Sequence, residues 1–130
     1  MQIPMPSIPE DRPLTAEEVR LARWMLENGE PDGRDYVSQL ESARIVSCCP
    51  CGCATIDLEV EGYPPARGIS RILGEFSFFH GDDQSVIFIY ADKGVLGGIE
   101  VCGLTGDSPS VLPAPEALYR LVPIEEPGPE

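Results

Sequence analysis

Positive charge is scarce in this chain: nine Lys and Arg stand against 22 Asp and Glu, the only lysine is Lys93, and the formal net charge is −13. A field of that sign repels phosphate backbones and anionic bilayers, so nucleic acid and membrane surfaces are not expected partners, while a basic protein or a cation is. The excess is spread, with 12 acids and five bases in residues 1–65 and 10 acids and four bases in residues 66–130. Long hydrophobic runs are missing too. The longest, Val86–Ala91, is far short of the roughly 18 apolar residues that span a bilayer. The opening MQIPMPSIPE has neither a basic n-region nor an apolar h-region, so a secretory signal is not expected. With a single histidine there can be no H-E-x-x-H zinc helix, and neither G-x-S-x-G nor a phosphate-cradling glycine loop occurs.

What the chain does have is a crowd of cysteines. SCCPCGCATIDLEV, residues 47–60, holds four of the five cysteines in six consecutive positions. Neighbouring cysteines are poor disulfide partners for one another because their Cβ geometry must match, so reduced thiols and a cytoplasmic location are expected. Cys48 and Cys51 form C-x-x-C followed by Gly52, the local shape of a zinc knuckle. Cys49, Cys51 and Cys53 form an alternative set that projects to one side of an extended segment. A tetrahedral Zn2+ site needs four ligands, so Cys48, Cys102 or His80 would have to complete it. The competing reading is a tight corner shaped by Pro50 and Gly52, with thiols packed as small hydrophobes. Redox chemistry fits less well, because a reactive C-x-x-C is activated at the start of a helix and here a strand follows.

Local structure is well signalled. Thr15 and Glu18 form a capping box ahead of a helix whose inward stripe is Val19, Ala22 and Leu26, widened by Leu21, Trp24 and Met25 and closed by Gly29. A second helix is expected from about Arg34 to Ser42, capped by Asp32, with Tyr36, Val37 and Leu40 inward. From Arg44 the period becomes two: ARIV, ATIDLEVEG, GEFSFF, SVIFIYA and VLGGIEVCGL read as strands. SVIFIYA is apolar on both faces and is expected in the centre of the sheet. The paired glycines of VLGGIEVCGL point to a bulge or a close backbone approach. His80, Gly81, Asp82 and Asp83 read as a hairpin turn, although a histidine beside carboxylates can also bind a cation or act as a base. A short helix over Pro115–Leu121 completes the pattern.

These elements predict an α+β fold, two N-terminal helices packed on a mostly antiparallel sheet of about five strands. The single domain covers 14–122, between an extended N-terminal arm over 1–13 and a flexible tail over 123–130, both rich in proline.

The segments LTAEEVRLARWMLENG, QLESARIV, CPCGCATIDLEV, and KGVLGGIEVCGL followed by LPAPEAL resemble a family of small uncharacterised bacterial proteins with a C-x-C-G-C hairpin, over roughly residues 14–121. The ending, a GxLxGLEV-type strand, a GD turn and LPxPxxL, is similar to small domains found near toxin genes as candidate immunity proteins. Gly97-Gly98-Ile99-Glu100 stands where that pattern has the GLE form. The resemblance implies a protein partner and carries over no catalytic residue.

Three functions are therefore expected, in descending order. The first is a non-enzymatic interaction domain, immunity-like or an adaptor, that meets a basic partner through Asp57, Glu59 and Glu61 on the polar side of the strand 54–61. The second is a zinc module built on Cys49, Cys51 and Cys53, its ligand set completed within the chain or across a homodimer. The third is a thiol enzyme with Cys51 as nucleophile and His80 as base.

Overall fold

The computed structural model describes residues 8–50 and 52–120. Cys51, residues 1–7 of the arm, Leu121 and the tail over 123–130 lie outside the described residues. The order of elements is β1 (Ile8–Pro13), α1 (Ala16–Asn28), a 3₁₀ helix (Pro31–Ser42), β2 (Ala43–Cys48), β3 (Ile56–Val60), β4 (Arg71–His80), β5 (Asp83–Asp92), β6 (Val95–Gly103) and a 3₁₀ turn (Pro115–Ala117). All strand pairs are antiparallel, in one six-stranded sheet of order β1-β2-β3-β6-β5-β4. Among the described residues no helix is long and apolar enough to cross a membrane.

The first helix forms as its sequence signals. Thr15 Oγ1 accepts from the Glu18 amide at 3.1 Å, and the Thr15 amide donates to Glu18 Oε1 at 2.8 Å, so two otherwise orphaned amides are satisfied. Glu18 also takes both arms of the Arg12 guanidinium at 2.9 Å, tying β1 to the start of α1. Leu21, Ala22, Met25 and Leu26 are buried, and the half-buried Trp24 ring meets Phe76 of β4 with centroids 5.0 Å apart.

Three expectations need correction. The short helix expected over 115–121 is only a 3₁₀ turn over Pro115–Ala117, after which Leu118 is extended. The second helix is a 3₁₀ helix over Pro31–Ser42, and Asp32 does not cap it; its carboxylate grips Arg71 of β4 at 2.7 and 3.1 Å. The three-residue period puts Gly33, Tyr36 and Gln39 in one row and Val37 and Leu40 in the next, which is how a glutamine comes to be buried at position 39. The sheet also has six strands where about five were expected. The additional one is β1, inside the expected arm. Its prolines, Pro9 and Pro13, are tolerated because β1 is an edge strand that pairs only with β2.

The topology is two three-stranded meanders, β1-β2-β3 and β4-β5-β6, joined side by side where β3 meets β6. SVIFIYA is an interior strand, β5, but lies between β6 and β4 rather than in the middle. The seam is short: Ile56 pairs with Ile99 and Asp57 with Gly98. Thr55 extends it by a side chain, its Oγ1 accepting from the Val101 amide at 3.0 Å. Inward residues of β3, β5 and β6, including Ile56, Leu58, Ile87, Ile89, Ile99 and Val101, are buried under the helices. Their alternates form the opposite, open face, and the sites of interest lie there.

Candidate functional site

Cross-strand register assembles the open face row by row. One row runs Ile72, Tyr90, Gly98, Asp57, Ser47 across five strands, and the next runs Glu75, Phe88, Glu100 across three. Phe88 and Tyr90 lie side by side with centroids 6.1 Å apart. Around this aromatic pair stand Glu75, Glu100 and Asp57, each from a different strand. The face carries exposed apolar surface as well, in Ile72 of β4 and in Phe79, which is 60% exposed. No basic residue of β4, β5 or β6 shares it, since Arg71 is opposite Ala91 and turns to Asp32 on the helical side.

At the centre is Asp57. Ser47 Oγ donates to its Oδ2, and Tyr90 Oη donates to Oδ1 at 3.3 Å. Burial, then the nearby charges of Asp57 and Glu100, push the Tyr90 phenol well above its ordinary pKa, so it remains a neutral donor. The Tyr90 ring lies against Gly97 and Gly98, where a Cβ on Gly97 would come within 2.5 Å of its edge and one on Gly98 within 2.7 Å of its hydroxyl. A bulge between Tyr90 and Ala91 leaves Gly97 as the extra residue of β6. The bulge and close approach expected of the glycine pair are both present.

The crossover from β3 to β4, residues 61–70, passes over this row and roofs a cavity of about 340 Å3 lined by Ser47, Asp57, Glu59, Arg67, Ile69 and Tyr90 among others. One carboxylate pins the roof. Asp92, 8% exposed, accepts from the Arg67 amide at 2.9 Å, and Ser70 Oγ accepts from the Lys93 amide at 3.0 Å. The Arg67 amide first, then Ser70, Lys93 and the Gly68 amide, hold the Asp92 carboxyl below the ordinary carboxylate range against the opposing effect of burial. A lowered folded pKa means a contribution present above the unfolded value of about 3.9 and lost as pH falls through the lower folded value. The Arg67 amide resonance should therefore titrate with a midpoint below about 3.9. Asp92→Ala should abolish that titration and open residues 61–70 to proteolysis at neutral pH. Cleavage no faster than in the wild type would show that Asp92 does not hold the roof.

The residues singled out in the sequence are scattered. Asp57 lies within the network just described, Glu59 lines the cavity, and Glu61 is exposed in the turn beyond β3. Cys48 and Cys53 line a different cavity of about 380 Å3, on the helical side, with Arg12 and Glu18. Cys48 faces that side because it is opposite the buried Ile56. Cys102 follows the buried Val101 and is exposed on the open face. His80 ends β4, four strands from β2, a lateral separation of roughly 19 Å at about 4.8 Å per step. The fold thus places Cys48 and Cys53 on one cavity, turns Cys102 to the opposite face and leaves His80 at the far edge of the sheet. Among the described residues no group of three His, Cys, Asp or Glu side chains is placed to hold a metal ion.

Tyr90, Ser47, Glu75 and Arg67 were not legible as site residues, because strand order and register bring them together from distant segments. Parity offered a partial signal, since Asp57 and Glu59 in β3 and Glu100 in β6 alternate with buried apolar residues. No family model, curated protein or solved structure matches the chain.

Proposed function

We propose that the protein is a non-enzymatic binding module whose open sheet face receives a basic segment of a partner protein. The observation that carries this reading is the row Glu75–Phe88–Glu100, with Asp57 and Tyr90 beside it. Apolar and aromatic surface is flanked by carboxylates from separate strands, on a face where β4, β5 and β6 contribute no cation. A segment alternating arginine with apolar residues complements it. Its side chains would cover Phe88 and Ile72, while guanidinium groups reach Glu75 and Glu100, stack on aromatic faces and form paired hydrogen bonds with carboxylates. Asp57 and Glu59 form the margin of the surface, and the overall net charge of −13 adds long-range steering.

The test separates position from net charge. An acetylated octapeptide alternating arginine and valine is titrated against the wild type, against Glu75→Lys/Glu100→Lys, and against Glu17→Lys/Glu27→Lys on α1, which changes net charge equally. Binding should be saturable, should fall about tenfold or more for the sheet pair, and should change only a few-fold for the helix pair. Equal losses in both would reduce the interaction to bulk charge and overturn the assignment.

A further inference from the structure

The cavity beneath the crossover adjoins that surface, sharing Asp57, Glu59 and Tyr90 with its margin, and carries charges of both signs. Arg67 comes from the roof, and Asp57 and Glu59 from β3, yet neither Arg67 nor Glu59 forms an ion pair among the described residues. An anionic ligand would meet two carboxylates, and a simple cation would meet Arg67. A ligand carrying one ammonium and one carboxylate meets each wall with its opposite. At about 340 Å3 the space is ample for a small amino acid, and it is the two carboxylates, rather than size, that disfavour a phosphate-bearing ligand. Its wall is apolar at Val46, Pro65, Ala66 and Ile69, where an aliphatic side chain could rest.

We propose that this cavity is a binding site for a free α-amino acid, its ammonium held by Glu59 and Asp57 and its carboxylate by the Arg67 guanidinium. The parts of the site are held in place before any ligand arrives. Ser47 and Tyr90 hydroxyls orient the Asp57 carboxylate, and Asp92 fixes the backbone of Arg67 above it. Preorganisation of this kind lowers the ordering cost that otherwise weakens small-ligand binding. The Tyr90 phenol, kept protonated by its surroundings, keeps its one O–H on the Asp57 carboxylate. The amino acid is read through Glu59 and Arg67 and the basic partner through Glu75 and Glu100, so the two proposals are tested by different residues.

The experiment is a titration of the isotopically labelled full chain with each of the twenty standard amino acids, following the Gly68, Gly97 and Gly98 amides. At least one amino acid should shift these resonances saturably. Its analogues lacking the carboxylate or lacking the ammonium should each bind about tenfold more weakly, as should Glu59→Gln and Arg67→Gln tested with the intact amino acid. Both of those residues are exposed, so spectra of the variants should otherwise match the wild type. Absence of saturable shifts with all twenty would overturn the proposal. So would an analogue with a single charge that binds as tightly as the amino acid. Neither result would alter the octapeptide titration, which reads Glu75 and Glu100.

Discussion

Gly98→Ala should destabilise the protein by about 3 kcal/mol, the upper end of what overpacking costs. An added Cβ would lie 2.5 Å from the Ile56 carbonyl oxygen and 2.7 Å from the Tyr90 hydroxyl. The first contact is with backbone, so no rotamer change relieves it. The place matters as much as the distance. Gly98 pairs with Asp57 at the seam between the two meanders, and moving the backbone there opens the join that unites the sheet. Gly97→Ala is the informative comparison, because its Cβ meets only side chains, the Tyr90 ring at 2.5 and 3.0 Å and the Ala66 methyl at 3.1 Å. A side chain yields more readily than backbone, so the cost should be smaller, about 1 kcal/mol. Loss of the Tyr90 to Asp57 hydrogen bond should accompany it. Urea unfolding of both variants checks the order, and a Gly97→Ala more damaging than Gly98→Ala would show that the seam is not the weak point.

That seam also marks what the sequence could and could not disclose. The capping box of α1 was legible because Thr15 and Glu18 are three residues apart and satisfy each other locally. Most of the strands β2 to β6 were legible from the period of two, which the buried face imposes on each strand alone, and β5 from its continuous apolar run. β1 was hidden because prolines argue against a strand until its neighbours are known. Only at an edge are Pro9 and Pro13 harmless, and edge position is a property of the whole sheet. The second helix had the right place and the wrong period. The cysteine stretch stands out in the sequence because its residues are contiguous. The Ser47, Asp57 and Tyr90 network does not, because its members come from β2, β3 and β5, and the tyrosine is 33 residues from the aspartate. Asp57, expected on the partner-binding side of the strand, is half-buried and accepts two hydroxyls. Its remaining acceptor capacity faces the cavity, and the carboxylates without hydroxyl partners among the described residues, Glu75 and Glu100, lie farther along the face.

Gln39→Leu should cost about 2 to 4 kcal/mol, although leucine fills much the same space, because the loss is polar. Gln39, 8% exposed, reaches from the 3₁₀ helix to the β5–β6 turn, where Nε2 donates to the Gly94 carbonyl at 2.9 Å and Oε1 accepts from the Leu96 amide at 2.9 Å. Leucine leaves a carbonyl and an amide without partners, each a penalty of about 1 to 3 kcal/mol, softened where water can reach the turn. The turn itself is strained. Lys93 has φ of 52° and Gly94 φ of 87°, the left-handed pair a two-residue hairpin requires, and a lysine there is disfavoured by about 1 to 2 kcal/mol. The glutamine clamp offsets that strain from outside the hairpin. Its effect reaches the open face, because the same hairpin carries Tyr90, Asp92, Gly97 and Gly98. In Gln39→Leu the Leu96 amide should exchange through a local opening well below the global unfolding free energy, and Arg67 above it should lose protection as Asp92 shifts. If Leu96 stays as protected as the core strands while global stability falls, the glutamine acts through packing alone. The two faces of the sheet would then be uncoupled. If Leu96 and Arg67 lose protection together, a single amide on the helical side holds the binding cavity in shape.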